Sequence, residues 1–122
     1  MAKVLDLSKW AKLVGSDLED AMVAFKIELF SSIVLDTRVD TGRLRGNWQT
    51  STGTPITSDT NREDKNGSKV TQEIERTVTP DDVDYMTNNL PYAEVWEEKD
   101  AMVAKNFARI DRIIADASKA TR

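Results

Sequence analysis

Any chemistry in this chain must run on carboxylates, lysines, tyrosines and hydroxyls, because its 122 residues include neither cysteine nor histidine. That absence removes disulfides, thiolate nucleophiles, the usual zinc ligands, the Ser-His-Asp triad and the commonest general base. One stretch, Val39-Asp40-Thr41-Gly42-Arg43-Leu44-Arg45-Gly46-Asn47-Trp48, contains a catalytic signature. Two Asp-Thr-Gly loops, one from each half of a homodimer, would let paired carboxylates share a proton, with Asp40 of one copy as base and its mate as acid. A small homodimeric aspartic protease is one reading on those grounds. The surroundings oppose it. Arg43 follows the glycine and Arg45 lies close by, and two cations would hold both aspartates ionised. The residues before Asp40 read as a helix rather than a buried strand, and no glycine-rich flap strand is present. A plainer reading is a change of chain direction, since aspartate bonds its own downstream backbone and glycine accepts positive φ. We assign Asp40, Thr41 and Gly42 to a structural turn, and no residue to catalysis.

Other constellations are weaker. Asp81, Asp82 and Asp84 could hold a hard cation, but the run lacks the sixth-position glycine and terminal glutamate of a calcium loop. We read it as a solvated, helix-capping acidic cluster and expect no metal and no cofactor. Trp10 and Trp48 suit core positions. Trp96, flanked by Glu94, Glu97 and Glu98, is either core or a subunit contact, where tryptophan is enriched. Gly53 to Ser68 holds one sizeable apolar residue, Ile56, among turn formers and charges. It reads as a long mobile loop, either a hairpin tip or a segment that docks on a partner through Ile56, Arg62 and Lys65.

The elements that position these residues follow from periodicity. From Ser8 to about Leu35 apolar residues recur every three or four positions, predicting one long helix capped by Ser8 and weakened at Gly15. Arg43 to Thr52 reads as a strand with Leu44 and Trp48 inward. Lys69 to Thr79 alternates Val70, Gln72, Ile74, Arg76 and Val78 against polar residues, predicting an antiparallel partner strand across the loop. Val83 to Asn89 reads as irregular or helical, and Tyr92 to Trp96 as a last short strand. Asp100 then caps a helix from Ala101 to about Lys119. The core is expected to unite both helices with Trp48, Ile74 and Val78. The order makes residues 1–122 a single small α+β domain: long N-terminal helix, antiparallel sheet, C-terminal helix. The formal net charge of −4 argues against a domain built to grip nucleic-acid phosphates. No stretch approaches the ~18 apolar residues of a membrane span, and Ala2–Asp6 lacks a signal core. We expect a protein that is soluble and cytosolic at synthesis.

With those elements in place, a family likeness emerges. A long helix, then Val39-Asp40-Thr41-Gly42-Arg43-Leu44-Arg45 with Trp48 shortly after, then Pro91-Tyr92-Ala93 with Val95, Trp96 and Glu97 before a terminal helix, resembles the tail-completion or neck proteins of long-tailed bacteriophages. The minor tail protein Z group belongs to that broad family. The likeness spans roughly Leu7 to Ala117 by element order, but only Asp40–Trp48 and Leu90–Glu97 carry specific residues. The chain departs from the usual pattern after Glu97, where Glu98-Lys99-Asp100 replaces a Gly-Thr and proline-containing continuation.

The resemblance implies a non-enzymatic virion protein at the head–tail junction, assembled in the host cytoplasm. It implies a homo-oligomeric ring, commonly hexameric and sometimes matched to a twelvefold connector, that contacts other neck, connector and tail-tube proteins. A tail terminator or head–tail stopper is the alternative within the class. Such a ring needs two different complementary surfaces per subunit. Arg43 and Arg45 on one side, and Tyr92, Glu94, Trp96, Glu97 and Glu98 on another, are the expected contacts. DNA would pass through the lumen without sequence-specific binding, and an acidic lining would let it slide.

Overall fold

A computed structural model describes residues 18–120, and its order is mixed α+β. Among these residues there are five helices and one two-stranded sheet: α1 (Leu18–Asp36), α2 (Arg43–Gly46), β1 (Trp48–Thr52), α3 (Ser68–Thr77), β2 (Asp84–Asn88), α4 (Ala93–Asp100) and α5 (Met102–Ala120). The expected Ser8 cap, the weak point at Gly15 and the placement of Trp10 lie outside the described residues.

α1 buries Phe25, Leu29 and Ile33 at steps of four, with Val34 beside them, the stripe of a helix lying on a core. Glu19 and Asp20 in its first turn match the positive end of its dipole. Its C-terminus is closed from the side: Thr37 Oγ1 donates to the Ile33 carbonyl, and Arg45 donates to the carbonyls of Leu35 and Thr37. These carbonyls have no partner within the helix.

The sheet differs from the one expected. β1 pairs antiparallel with β2, in the register Trp48↔Asn88, Thr50↔Met86 and Thr52↔Asp84. Residues 69–77 are not the partner strand; they form α3. The alternation of Val70, Ile74 and Val78 is also a step of four, and α3 uses that reading by burying Val70 and Ile74 completely. Buried Asp64 accepts the Val70 N–H, satisfying a first-turn donor. The loop after Gly53 is therefore no hairpin tip, because it leads from β1 across the molecule into α3. Residues 84–88, expected to be irregular or helical, are a strand. Arg43–Gly46, expected in the strand, make a single helical turn, and only Trp48–Thr52 are extended.

Tyr92–Trp96 are likewise not extended. Ala93 starts α4, placing buried Ala93 and half-buried Trp96 on one face three residues apart. Asp100 closes α4 rather than capping α5. Ala101 turns the chain with φ 52°, and the Glu97 carboxylate accepts the N–H groups of Val103 and Ala104. Glu97 is thus the side chain at the head of α5.

The core lies where α1, α3 and α5 meet one face of the sheet. Phe25, Leu29, Ile33, Trp48, Ile74, Met102 and Ile110 form one buried cluster with Val78 packed against it. The expected union of both helices with Trp48, Ile74 and Val78 is present over the described residues. No described helix is long and apolar enough to cross a membrane.

Candidate interaction surface

The stretch Val39–Trp48 is organised by close backbone approach. Gly42 takes φ 90°, and a Cβ there would stand 2.8 Å from the Lys65 nitrogen. Its carbonyl accepts from Gly46 and from Asp64, so the turn is fastened to the loop that precedes α3. Thr41 Oγ1 accepts from the Arg43 N–H. Asp40 itself is exposed at the bend, on no strand, and lines the open cleft described below.

The two arginines separate in role. Arg45 gives its guanidinium to the Lys65, Leu35 and Thr37 carbonyls, which makes it a clamp on the end of α1 rather than a cation free for a partner. Among the described residues, the Arg43 side chain is held only by a 3.5 Å contact with exposed Asp59, a pair of little energetic weight. It stays available.

Arg43 lines a cleft of about 590 Å³, together with Arg38, Val39, Tyr92, Val95 and Trp96. The Arg38 guanidinium lies 3.6 Å from the Trp96 ring centroid and makes two 2.7 Å hydrogen bonds to Asp100. Those hydrogen bonds raise the pKa of Arg38 and hold Asp100 below the usual carboxylate range. Beneath the cleft, Leu44, Leu90 and Ala93 form a second buried cluster, with Trp96 packed on it. The rim is open and mixed: Val39, Tyr92 and Val95 are 41%, 39% and 47% exposed, beside exposed Asp40 and Thr41.

α4 divides this cleft from a second groove on its other flank. Glu94 and Glu97 line that groove with Phe30, Met86, Val103 and Asn89. Glu98 is exposed on the same helix. Expected contact residues Tyr92 and Trp96 thus meet Arg43 on the cleft side, whereas Glu94 and Glu97 fall on the groove side. Glu97 is committed to α5.

The loop residues split similarly. Ile56 is half-buried, and its carbonyl accepts from Thr87 and Asn89. Lys65 is exposed. Arg62 points inward: it donates to the carbonyls of Gly46 and Trp48 and pairs with Glu73 at 2.6 Å, while Glu73 also accepts the Thr50 N–H. Asn47 ties the same loop down through a reciprocal pair of hydrogen bonds with the Thr60 backbone.

Asp84 is not part of a solvated cluster. Its covered carboxylate pairs with Lys26 at 2.8 Å, whose ammonium also donates to the carbonyls of Thr79 and Asp82. Among the described residues, no three acidic side chains converge as a metal site.

Arg38, Val39 and Val95 were not legible as surface residues from the sequence. Once α4 is known to be a helix, its phase sets Tyr92 and Val95 side by side three residues apart. Nothing local signals the contact of Arg38 with Asp100. Compared with family models, curated proteins and solved structures, the chain finds no match in any of the three.

Proposed function

We propose that the chain is a structural, non-enzymatic virion protein of a tailed bacteriophage. In this reading it forms a homo-oligomeric ring at the head–tail junction, joining the tail tube to the capsid connector and letting DNA pass. The observation that carries the proposal is a convergence. Asp40–Trp48 and Leu90–Glu97, the two stretches with residues specific to the resemblance, are far apart in sequence yet share the Leu44–Leu90–Ala93 cluster and wall one cleft.

The layout also supports a head-to-tail ring contact, which needs two unlike surfaces on each subunit. The cleft on one flank of α4 presents Arg43, and the groove on the other presents Glu94. The exposed Val39, Tyr92 and Val95 supply apolar area of the kind that marks contact sites.

The test is to remove this chain from the virus that encodes it and image the particles. Full heads and finished tails that fail to join, rescued by the chain in trans, would support the proposal. Infectious, joined particles without the chain would overturn it. Tails of unregulated length would reassign it as a terminator, and heads leaking DNA as a stopper. Asp40→Asn separates the enzymatic reading, since a ring subunit assembles normally with that change whereas an aspartic protease loses peptide cleavage.

A further inference from the structure

We infer that the outer edge of β2 is a strand-addition site for an extended, basic segment of a partner protein. This does not rest on the ring reading, because it follows from how differently the two edges of the sheet are finished.

β1 has a closed outer edge. The Thr50 N–H points away from β2 to Glu73, and the Trp48 carbonyl accepts from Arg62. The Arg62–Glu73 pair therefore supplies the donor and acceptor that a third strand would supply. With Thr50 directed outward, the register assigns the ladder bonds to Gln49↔Thr87 and Ser51↔Tyr85. Gly53 donating to the Val83 carbonyl continues the same phase. The backbone groups of Asp84, Met86 and Asn88 must then face away from β1. Among the described residues, no group outside the sheet bonds to the Met86 backbone.

Natural sheets protect such an edge with lysine, proline, a bulge or a covering element. β2, Asp84-Tyr85-Met86-Thr87-Asn88, has neither lysine nor proline. The carboxylate of Asp84, its one charge, is turned to Lys26. Beside the edge runs the groove of about 490 Å³ between β2, α1, α4 and α5, with Phe30, Met86 and Val103 in its wall. Paired main chain and alternate side chains in such a groove are how extended peptides are recognised.

Charge selects the occupant. Among the described residues, the groove lining contains Asp84, Glu94 and Glu97 but no lysine or arginine. Asp84 and Glu97 are matched internally, whereas Glu94 stands exposed on the groove wall, with exposed Glu98 one turn further along α4 and outside the lining. Like charges at that spacing repel, and a lysine or arginine between them relieves the repulsion. A second copy offering its own β1 is excluded by the Arg62–Glu73 closure.

The test uses the full-length, isotope-labelled chain. It is titrated with an end-blocked peptide of alternating valine and threonine flanked by lysines, and with its glutamate-flanked counterpart. The proposal predicts saturable binding, slowed hydrogen exchange at the Met86 amide, and binding about fivefold weaker for the glutamate peptide. Met86→Pro removes the outward N–H without touching the β1–β2 ladder and should weaken binding about tenfold; Met86→Leu keeps both packing and binding. Equal melting of the two variants confirms that the fold survives.

No saturable binding, or amide shifts that spare β2, would overturn the proposal. A Met86 amide already protected in the free monomer would assign the edge to another part of this chain. Protection that rises with protein concentration and a doubled mass would assign it to β2 of a second copy. Either result overturns the partner-strand assignment.

Discussion

The indole Nε1 of Trp48 donates to the Thr37 hydroxyl at 2.8 Å, and that hydroxyl donates onward to the Ile33 carbonyl. One buried threonine thereby ends α1 and satisfies the only polar atom of the largest side chain in the core. Thr37→Val keeps the shape but leaves a buried N–H and a helix-end carbonyl unpaired. It should cost about 2–3 kcal/mol, read as a lower urea midpoint with unchanged slope. Thr37→Ser retains the hydroxyl and should lose less than half of that.

The Lys26–Asp84 pair couples stability to pH. Burial alone would raise the Asp84 pKa, but hydrogen bonds from Lys26, Thr52 and Thr79 outweigh it and hold the carboxyl below its ordinary value. A carboxylate depressed in the folded state adds stability that is complete above its unfolded pKa, about 3.9, and fades as pH falls toward the folded value. Asp84→Asn should cost about 1–3 kcal/mol at pH 7 by leaving the Lys26 ammonium without its counter-charge. The gap between variant and parent should narrow below about pH 4. Urea unfolding at pH 7, 4 and 3 checks both points. A gap that stays constant would show that Asp84 does not supply the pH dependence.

The α+β class, the α1 and α5 segments and most of the core were legible because their apolar spacing allows one period only. α3 was not. Val70, Ile74 and Val78 fit a strand and a helix equally, and the arbiter was Asp64, whose carboxylate reaches forward to the Val70 N–H. Once α3 is helical, β1 must find another partner, and β2 is the segment left to pair. The turn at Asp40–Gly42 was legible from residue type alone. Which arginine is free was not, because the targets of Arg45 are carbonyls, and every residue type carries those.

Gly46 and Gly53 make a matched test of two kinds of glycine. A Cβ on Gly46 would run into the Arg62 carbonyl, in the backbone of the loop that closes β1. Gly53 has φ 86° but nothing within 4 Å of a Cβ. Gly46→Ala should therefore cost about 3 kcal/mol through forced backbone movement. Gly53→Ala should cost only the left-handed strain, about 1 kcal/mol. Thermal unfolding of the pair reads the difference, and Gly46→Ala should also loosen the Thr50 amide in hydrogen exchange. Equal costs would mean that the loop yields to the added methyl, and that the Arg62 closure is softer than its geometry suggests.

Trp96 and Val95 separate contact from packing in the cleft. Trp96 lies under Arg38 and on the Leu44–Leu90–Ala93 cluster, so Trp96→Ala should weaken both the fold and any assembly that uses the cleft. Val95 is 47% exposed on the rim, and surface changes of that kind shift stability little. Val95→Asp should leave the melting temperature within about 3 °C of the parent, yet abolish the ring proposed above if that ring uses this cleft, by placing a charge in the contact. Light scattering across a concentration series, with the parent chain alongside, measures the oligomer directly. If Val95→Asp assembles like the parent while Trp96→Ala does not, the tryptophan acts through folding alone, and the ring contact lies elsewhere than this cleft.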